Sequence, residues 1–138
     1  MKSPKEIVQL MMNDDTFSKW LGIEIDFIDN GICNLRAEIT AEMLNGFSIA
    51  HGGIAYSLAD SALAFASNSH GIQSVSIETN ISHLLPVREG DELTTSVEEL
   101  NLTNRTGLYA VAVRNQDSKV VAYFKGTVYR TGKEWDIK

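Results

Sequence analysis

The sequence has little cysteine, proline or aromatic residue and no excess of basic charge. Its 138 residues include one cysteine, two prolines and 8% aromatic residues, and its net charge is −6. One cysteine excludes a disulfide framework, and with no charged-then-apolar leader in view it predicts a cytoplasmic protein. The acidic balance argues against nucleic acid or an anionic membrane as partner, since both bind basic patches.

The common catalytic and cofactor motifs are also missing. The patterns G-x-S-x-G, G-x-x-x-x-G-K-[ST] and G-x-G-x-x-G do not occur, which leaves serine-hydrolase, P-loop and Rossmann functions without support. His51, His70 and His83 have no cysteine, aspartate or histidine at ligand spacing on one face, so no metal is expected. Cys33 alternates with apolar residues, which indicates a packed strand thiol rather than a nucleophile.

The stretch from Ala50 to Gly71 predicts a helix that is small or apolar on every side. Gly52 and Gly53 open it, and Gly71 has the position of a left-handed glycine after a helix end. A helix without a polar face has to be buried, in a protein core or in a bilayer. Asp60 excludes the bilayer, because a mid-helix Asp there costs about 3 kcal/mol. We therefore expect this helix to form the core.

The segment before residue 23 predicts a short capped helix and its attachment. Ser3-Pro4-Lys5-Glu6 is a capping box with proline at the first helical position, and apolar residues follow at helical spacing. Phe17 and Trp20 lie in the next segment. We expect these two aromatic side chains to anchor it to the body of the protein.

The rest of the chain predicts strands joined by short turns. Alternation on both sides of Asp29-Asn30-Gly31 predicts a hairpin over residues 23–39 with one solvated face. Further strands are predicted after Gly71, beginning with the alternating residues Val75, Ile77, Thr79 and Ile81 and continuing over 93–97, 108–113 and 120–129. Short connections exclude parallel crossovers, so the fold class is α+β, an antiparallel sheet curled around the central helix. Residues 1–138 are expected to form one domain.

Two features of the central helix suit catalysis. A glycine pair at a helix start exposes backbone N–H groups at the positive end of the helix dipole, which suits an anion or a developing oxyanion. Asp60, two turns further on, has the chemistry of a nucleophile or a general base. The structural alternatives are a plain entry turn for the glycines, a paired structural carboxylate, and a surface or internally satisfied His51.

The spacing of these residues resembles that of the hotdog-fold acyl-CoA thioesterases of the phenylacetate-degradation (PaaI) type. The resemblance is carried by Asn45-Gly-x-x-x-x-His51-Gly52-Gly53, by Ser57-Leu58-Ala59-Asp60 and by Ala66-x-Asn68-x-x-Gly71. It extends to Leu85-Pro86, Gly90-Asp91 and Arg105-Thr106-Gly107, and so covers nearly the whole chain. It implies a hotdog, in which the sheet wraps the long helix, and pairing of chains into homodimers and often homotetramers.

The resemblance also implies a role for each matching residue. Asp60 corresponds to the carboxylate that attacks the thioester or activates water, and Gly52 to the backbone donor for the thioester carbonyl. Asn45 corresponds to a residue beside that carbonyl, and His51 to one near the thiol leaving group. Ser76 falls where some relatives place a water-orienting hydroxyl. The candidates for contacts with the CoA phosphates, which are equally candidates for solvated surface charges, are Arg88, Arg105 and Arg130.

The expected function is hydrolysis of an acyl-CoA to the free acid and CoA, without metal or cofactor. A carboxylate and a helix N-terminus suffice, because the reaction needs a nucleophile and one stabilised oxyanion while the thiolate leaves readily. Arylacetyl groups are the substrates that the resemblance implies, and medium or long fatty acyl chains stay open. The alternative functions are a hotdog dehydratase for acyl-carrier-protein thioesters and a non-catalytic acyl-CoA sensor.

The spacing of Gly52 and Asp60 predicts that each active site combines two chains. Eight residues of helix separate them by about 12 Å along the axis. The reacting carbon has to lie roughly 3–4 Å from both the carbonyl donor and the attacking group. One chain therefore cannot supply both groups to one thioester, whereas two antiparallel copies of the helix can.

Overall fold

A computed structural model describes residues 2–135, in which three helices accompany a six-stranded antiparallel sheet. The elements are α1 (Pro4–Asp14), α2 (Thr16–Trp20), β1 (Glu24–Asp29), β2 (Ile32–Glu38), a 3₁₀ turn (Ala41–Met43), α3 (Gly52–Asn68), β3 (Ile72–His83), β4 (Glu92–Leu102), β5 (Thr106–Arg114) and β6 (Val120–Glu134). The strand order β1-β2-β4-β5-β6-β3 confirms the predicted α+β class. Within the described residues no helix is long and apolar enough to cross a bilayer.

The long helix α3 packs across the sheet and supplies much of the core. Its inward side chains include the fully buried Leu58, Leu63 and Phe65. Its C-terminal end is closed as predicted, because Gly71 takes a φ of +97° and donates its N–H to the Asn68 carbonyl at 3.0 Å.

One side of α3 stays partly open, so the prediction of a helix buried on every side is wrong for the single chain. Gly53 is exposed, and Ser57, Asp60 and Ala64 are only partly buried. These positions follow one another at intervals of about three to four residues, which aligns them on one face of a helix. We call this face the open stripe. It is lined by small residues, and it carries Asp60.

The N-terminal helix is capped as predicted, but the two aromatic side chains after it do not anchor it to the body of the protein. The Glu6 N–H donates to Ser3 Oγ and the Ser3 N–H to Glu6 Oε1, both at 3.2 Å. Phe17 and Trp20 are 51% and 49% exposed and stack on each other, with ring centroids 5.9 Å apart. They lie three residues apart and so share one face of α2, and that face is turned outward.

The opposite side of α2 makes the attachment to α3. Ser18 is buried, and its hydroxyl bonds to Asp15 Oδ2 at 2.6 Å and to Ser61 Oγ at 2.9 Å. Ser61 follows Asp60 on α3. A polar contact therefore holds α2 where an apolar one was predicted.

The predicted hairpin is present, but its outer strand is exposed on both faces. On β2, Cys33, Leu35 and Ala37 are buried as predicted. On β1, Ile25 and Phe27 are 38% and 51% exposed, and a register shift lies between them. The prediction of one solvated face fails here because β1 is the edge strand, while α3 packs mainly against the other five strands.

A β-bulge at Ile77 reverses the facing of side chains along β3. Ser76 pairs with Val128, which is buried, so Ser76 faces α3. Beyond the bulge it is Ile81 that lies opposite a buried residue, Phe124. Even-numbered residues thus face the helix before the bulge, and odd-numbered residues face it afterwards.

The bulge overturns the prediction of one continuous apolar face on β3. Val75 and Ile77 are 56% and 62% exposed, although Ile81 packs against the core. β3 is also the second edge of the sheet. The structure therefore presents a long edge strand with two exposed apolar side chains.

Candidate active site

The first turn of α3 leaves the Gly52 N–H available for a ligand. His51 is the N-cap residue, and its Nδ1 accepts the Gly53 N–H at 3.0 Å while its carbonyl accepts the Ile54 N–H at 2.9 Å. The Gly52 N–H has no acceptor among residues 2–135. At the positive end of a 17-residue helix, such an N–H suits a carbonyl oxygen that becomes negatively charged.

Gly52 borders a cavity of about 360 Å³ between the start of α3 and the end of β3, which we call the helix-start cavity. Its polar lining consists of Asn45, His51, Gly52 and His83. The other lining residues are Ile49, Ala50, Ala55, Leu84, Leu85, Pro86, Val87, Leu93 and Val121. A mostly apolar cavity with a few polar groups is typical of a site for a small organic group.

Asn45 is held by its own loop. Its Oδ1 accepts the Phe47 N–H at 2.8 Å, and its backbone N–H donates to the Ile49 carbonyl at 2.8 Å. This turn fixes the side chain and uses its oxygen, so the side-chain NH₂ is the group left for a ligand. The structure thus brings Asn45, His51 and Gly52 together, as predicted.

Asp60 lines a different cavity, of about 250 Å³, which we call the mid-helix cavity. Ser76 borders the same cavity, because the bulge turns it toward α3. Among residues 2–135 no ion pair or hydrogen bond satisfies the Asp60 carboxylate, and burial raises its pKa. A carboxylate without a structural partner and with raised proton affinity has the properties of a catalytic base.

The predicted residues therefore form two groups in one chain. Asn45, His51 and Gly52 lie at the helix-start cavity, whereas Asp60 and Ser76 lie at the mid-helix cavity. The structure does not bring the two groups to a common cavity.

The three arginines also fail to form one cluster. Arg88 follows the lining residue Val87, at the N-terminal end of β4, and Arg105 follows the C-terminal end of that 11-residue strand. A strand of this length spans about 36 Å at about 3.3 Å per residue. Arg130 lies near Arg105, whose carbonyl accepts its backbone N–H at 2.7 Å. Arg130 also pairs with Ser74, which borders the mid-helix cavity.

His83 is a site residue that the motifs did not reveal. A Cβ atom added to Gly52 would lie 3.2 Å from His83 Nε2, so the imidazole is in close contact with the helix start. The signal was present in the strand pattern, since His83 continues the alternation of Thr79 and Ile81 on the face that turns toward α3.

Cys33 and metal chemistry give a direct prediction. Cys33 is fully buried, and burial raises its pKa to about 12, so almost no thiolate forms at neutral pH. Residues 2–135 contain no group of three or more His, Cys, Asp or Glu side chains placed to hold a metal. We expect neither a thiol-alkylating reagent nor EDTA to reduce thioester hydrolysis, measured after both are removed by gel filtration. Loss of activity that a divalent metal restores, or loss that follows alkylation of Cys33, would contradict this prediction.

The six-stranded antiparallel sheet that packs around one long helix defines the fold class, and comparison with known proteins identifies the family. The sequence profile of the thioesterase superfamily matches residues 47–122. Acyl-coenzyme A thioesterase PaaI of Escherichia coli K12 is 39% identical over 122 residues, which cover 88% of this chain and 87% of that protein. The chain therefore belongs to the thioesterase superfamily, among the PaaI-type acyl-CoA thioesterases.

Solved structures confirm the hotdog fold. The structure of the E. coli PaaI protein, from the phenylacetic acid degradation operon, matches with a TM-score of 0.92 and 37% identity over 95% of both chains. A Streptococcus mutans protein bound to acetyl-CoA matches with a TM-score of 0.79 and 26% identity, over 82% of this chain and 91% of that one. The prediction that the protein is a thioester hydrolase is thus confirmed. A single domain over residues 1–138 and a cytoplasmic location stay predictions.

Proposed function

We propose that the protein hydrolyses acyl-CoA thioesters with an apolar, arylacetyl-type acyl group, using Asp60 and the Gly52 N–H. The observation that carries this proposal is the Gly52 N–H, which lacks an acceptor among residues 2–135 and borders an apolar cavity. Two relatives support the substrate class, since one comes from a phenylacetic acid degradation operon and another binds acetyl-CoA. The volume of about 360 Å³ is within the range of small-molecule sites.

The reaction then follows from the two groups. The Asp60 carboxylate adds to the thioester carbon, or it takes a proton from a water molecule that adds instead. The π electrons of the carbonyl move onto its oxygen, where the Gly52 N–H stabilises the charge. When this electron pair returns, the C–S bond breaks and CoA leaves as a thiolate that takes up a proton. If Asp60 is the nucleophile, a water molecule then hydrolyses the mixed anhydride.

We further propose that the site forms between two chains of a homodimer, which can pair again into a homotetramer. The separate cavities of Gly52 and Asp60 support this arrangement, because a two-fold axis between antiparallel helices would join the helix-start cavity of one chain to the mid-helix cavity of its partner. The small residues of the open stripe permit close approach of a second helix. Arg88 of one chain would then border the same site as Arg105 and Arg130 of its partner, as candidates for the CoA phosphates.

A panel of acyl-CoA substrates tests the proposed activity, with free CoA followed by a thiol-reactive dye. We expect phenylacetyl-CoA to exceed acetyl-CoA in kcat/KM by at least about tenfold, because the apolar cavity rewards a larger apolar group. Preference for long fatty acyl-CoA would retain the thioesterase but overturn the arylacetyl assignment. Acyl-CoA binding without release of CoA would indicate a sensor, and loss of water from a hydroxyacyl thioester would indicate a dehydratase.

Substitution of Gly52 tests the role of the helix start, with Gly46 as the matched control. In Gly52→Ala the new methyl group would lie 3.2 Å from His83 Nε2 and crowd the place of the carbonyl oxygen, whereas in Gly46→Ala it would have no neighbour within 4 Å. Alanine keeps the N–H, but its methyl group would hold the carbonyl oxygen away from it, so we expect kcat/KM to fall about a hundredfold for Gly52→Ala, as when the donor itself is lost. Gly46→Ala should keep wild-type activity. Equal activities of the two variants would exclude Gly52 from the site.

A further inference from the structure

His83 holds an imidazole beside the helix start on a rigid part of the sheet. It is the last residue of β3 and pairs with Ala122. The chain directly after it is fixed as well, since the Leu84 N–H donates to the Val121 carbonyl at 2.8 Å. A side chain carried by a paired strand end keeps its position better than one on a free loop, which is what a group that recognises a reacting atom requires.

The ring of His83 turns its Nε2 edge toward Gly52. The position of a Cβ atom on Gly52 lies 3.2 Å from Nε2 and 3.4 Å from Cε1, but 3.9 Å from Cδ2. No side chain or backbone group within residues 2–135 hydrogen-bonds this imidazole. The Nε2 atom is therefore available next to the Gly52 N–H, which has no acceptor within residues 2–135.

We propose that the Nε2–H of His83 is a second hydrogen-bond donor to the thioester carbonyl oxygen and completes a two-donor oxyanion hole with the Gly52 N–H. This inference rests on the proposed thioester hydrolysis. As the nucleophile adds to the carbon, the π electrons move onto the oxygen and both hydrogen bonds shorten. No proton is transferred to the oxygen, and both donors release it when the electron pair returns and the C–S bond breaks.

The surroundings of His83 favour this role over proton transfer. The neutral Nε2–H tautomer is sufficient, because a donor does not need to be charged. His51 is the other titratable side chain described in the lining, and its Nδ1 is already occupied by the Gly53 N–H. The remaining lining is apolar apart from Asn45 and Gly52, so few other polar groups compete with His83 for the carbonyl oxygen.

Two substitutions of His83 separate hydrogen bonding from shape. His83→Phe keeps a flat ring without a donor, and His83→Gln keeps an N–H near the position of Nε2. We expect kcat of His83→Phe to fall about a hundredfold, the scale of a lost oxyanion donor, with KM and CoA affinity by calorimetry changed less than about threefold. His83→Gln should stay within about tenfold of wild-type kcat. Should the Phe variant misfold, His83→Leu takes its place at this exposed position.

The outcomes distinguish this inference from the proposed function. Wild-type kcat in the donor-free variant would overturn the role of His83 alone, as would an equal loss in the Phe and Gln variants. Absence of CoA release by the wild-type protein with every substrate of the panel would overturn the proposed function, and this inference with it.

Discussion

Asp60→Asn is expected to lower kcat for acyl-CoA hydrolysis by at least about a hundredfold, because the amide can neither attack a thioester nor accept a proton from water. The side chain keeps its shape, so CoA affinity should change little. Asp117→Asn, on the exposed β5–β6 turn, is the matched control and should keep full activity. Stopped-flow or steady-state release of CoA measures both variants. Wild-type turnover in Asp60→Asn would exclude the carboxylate from catalysis.

The same variant also separates catalysis from a structural role through its pH-dependent stability. Burial raises the pKa of Asp60 in the folded chain. The wild type therefore loses stability as the pH rises from the pKa of Asp60 in the unfolded chain, about 4, through its raised pKa in the folded chain. The Asn variant has no such loss. In urea unfolding, we expect Asp60→Asn to be at least as stable as the wild type at pH 7, with the difference shrinking toward pH 4. A variant that is less stable at pH 7 would support the structural alternative.

A refolded equal mixture of Asp60→Ala and Asn45→Ala is expected to regain about a quarter of wild-type activity, although each variant alone is nearly inactive. Random pairing makes about half of the dimers mixed, and each mixed dimer carries one intact and one doubly damaged site. The physical basis is that Asn45 and Asp60 line different cavities of one chain. The two variants are unfolded, combined in equal amounts, refolded and assayed.

Two controls make this result decisive. Native mass spectrometry of chains with different tags shows that mixed dimers have formed. A mixture of Asp60→Ala with Ser76→Ala should regain no intact site, because both residues border the mid-helix cavity of the same chain. If the Asn45 mixture stays at single-variant activity although mixed dimers are present, both residues serve one site from one chain.

The sequence predicted the parts of the fold that local patterns encode. The capping box at Ser3, the glycine at position 71 and the alternation on β2 each depend on neighbouring residues, and each is confirmed. The prediction that Phe17 and Trp20 anchor the N-terminal segment is wrong, because an apolar side chain indicates that its burial is favourable but not which surface buries it. Within one chain these two rings stack on each other and stay about half exposed.

The site residues likewise divide into those that a local motif predicts and those that depend on strand pairing. Asn45, His51 and Gly52 fall within eight consecutive residues, so their meeting at one cavity could be predicted from a motif. Ser76 and His83 come from a strand whose register a bulge shifts, and no turn residue marks that bulge in the sequence. The facing of those two side chains depends on pairing with β6, which only the folded sheet defines.

The bulge at Ile77 gives β3 two side-chain registers, one on each side of the inserted residue. Before the bulge Ser76 faces the mid-helix cavity, and after it Ile81 faces the core. Deletion of Ile77 would give both halves of β3 the same alternation of side chains, so that either Ser76 or Ile81 would turn outward. The site at one end of β3 and the core packing at the other end therefore both depend on one inserted residue.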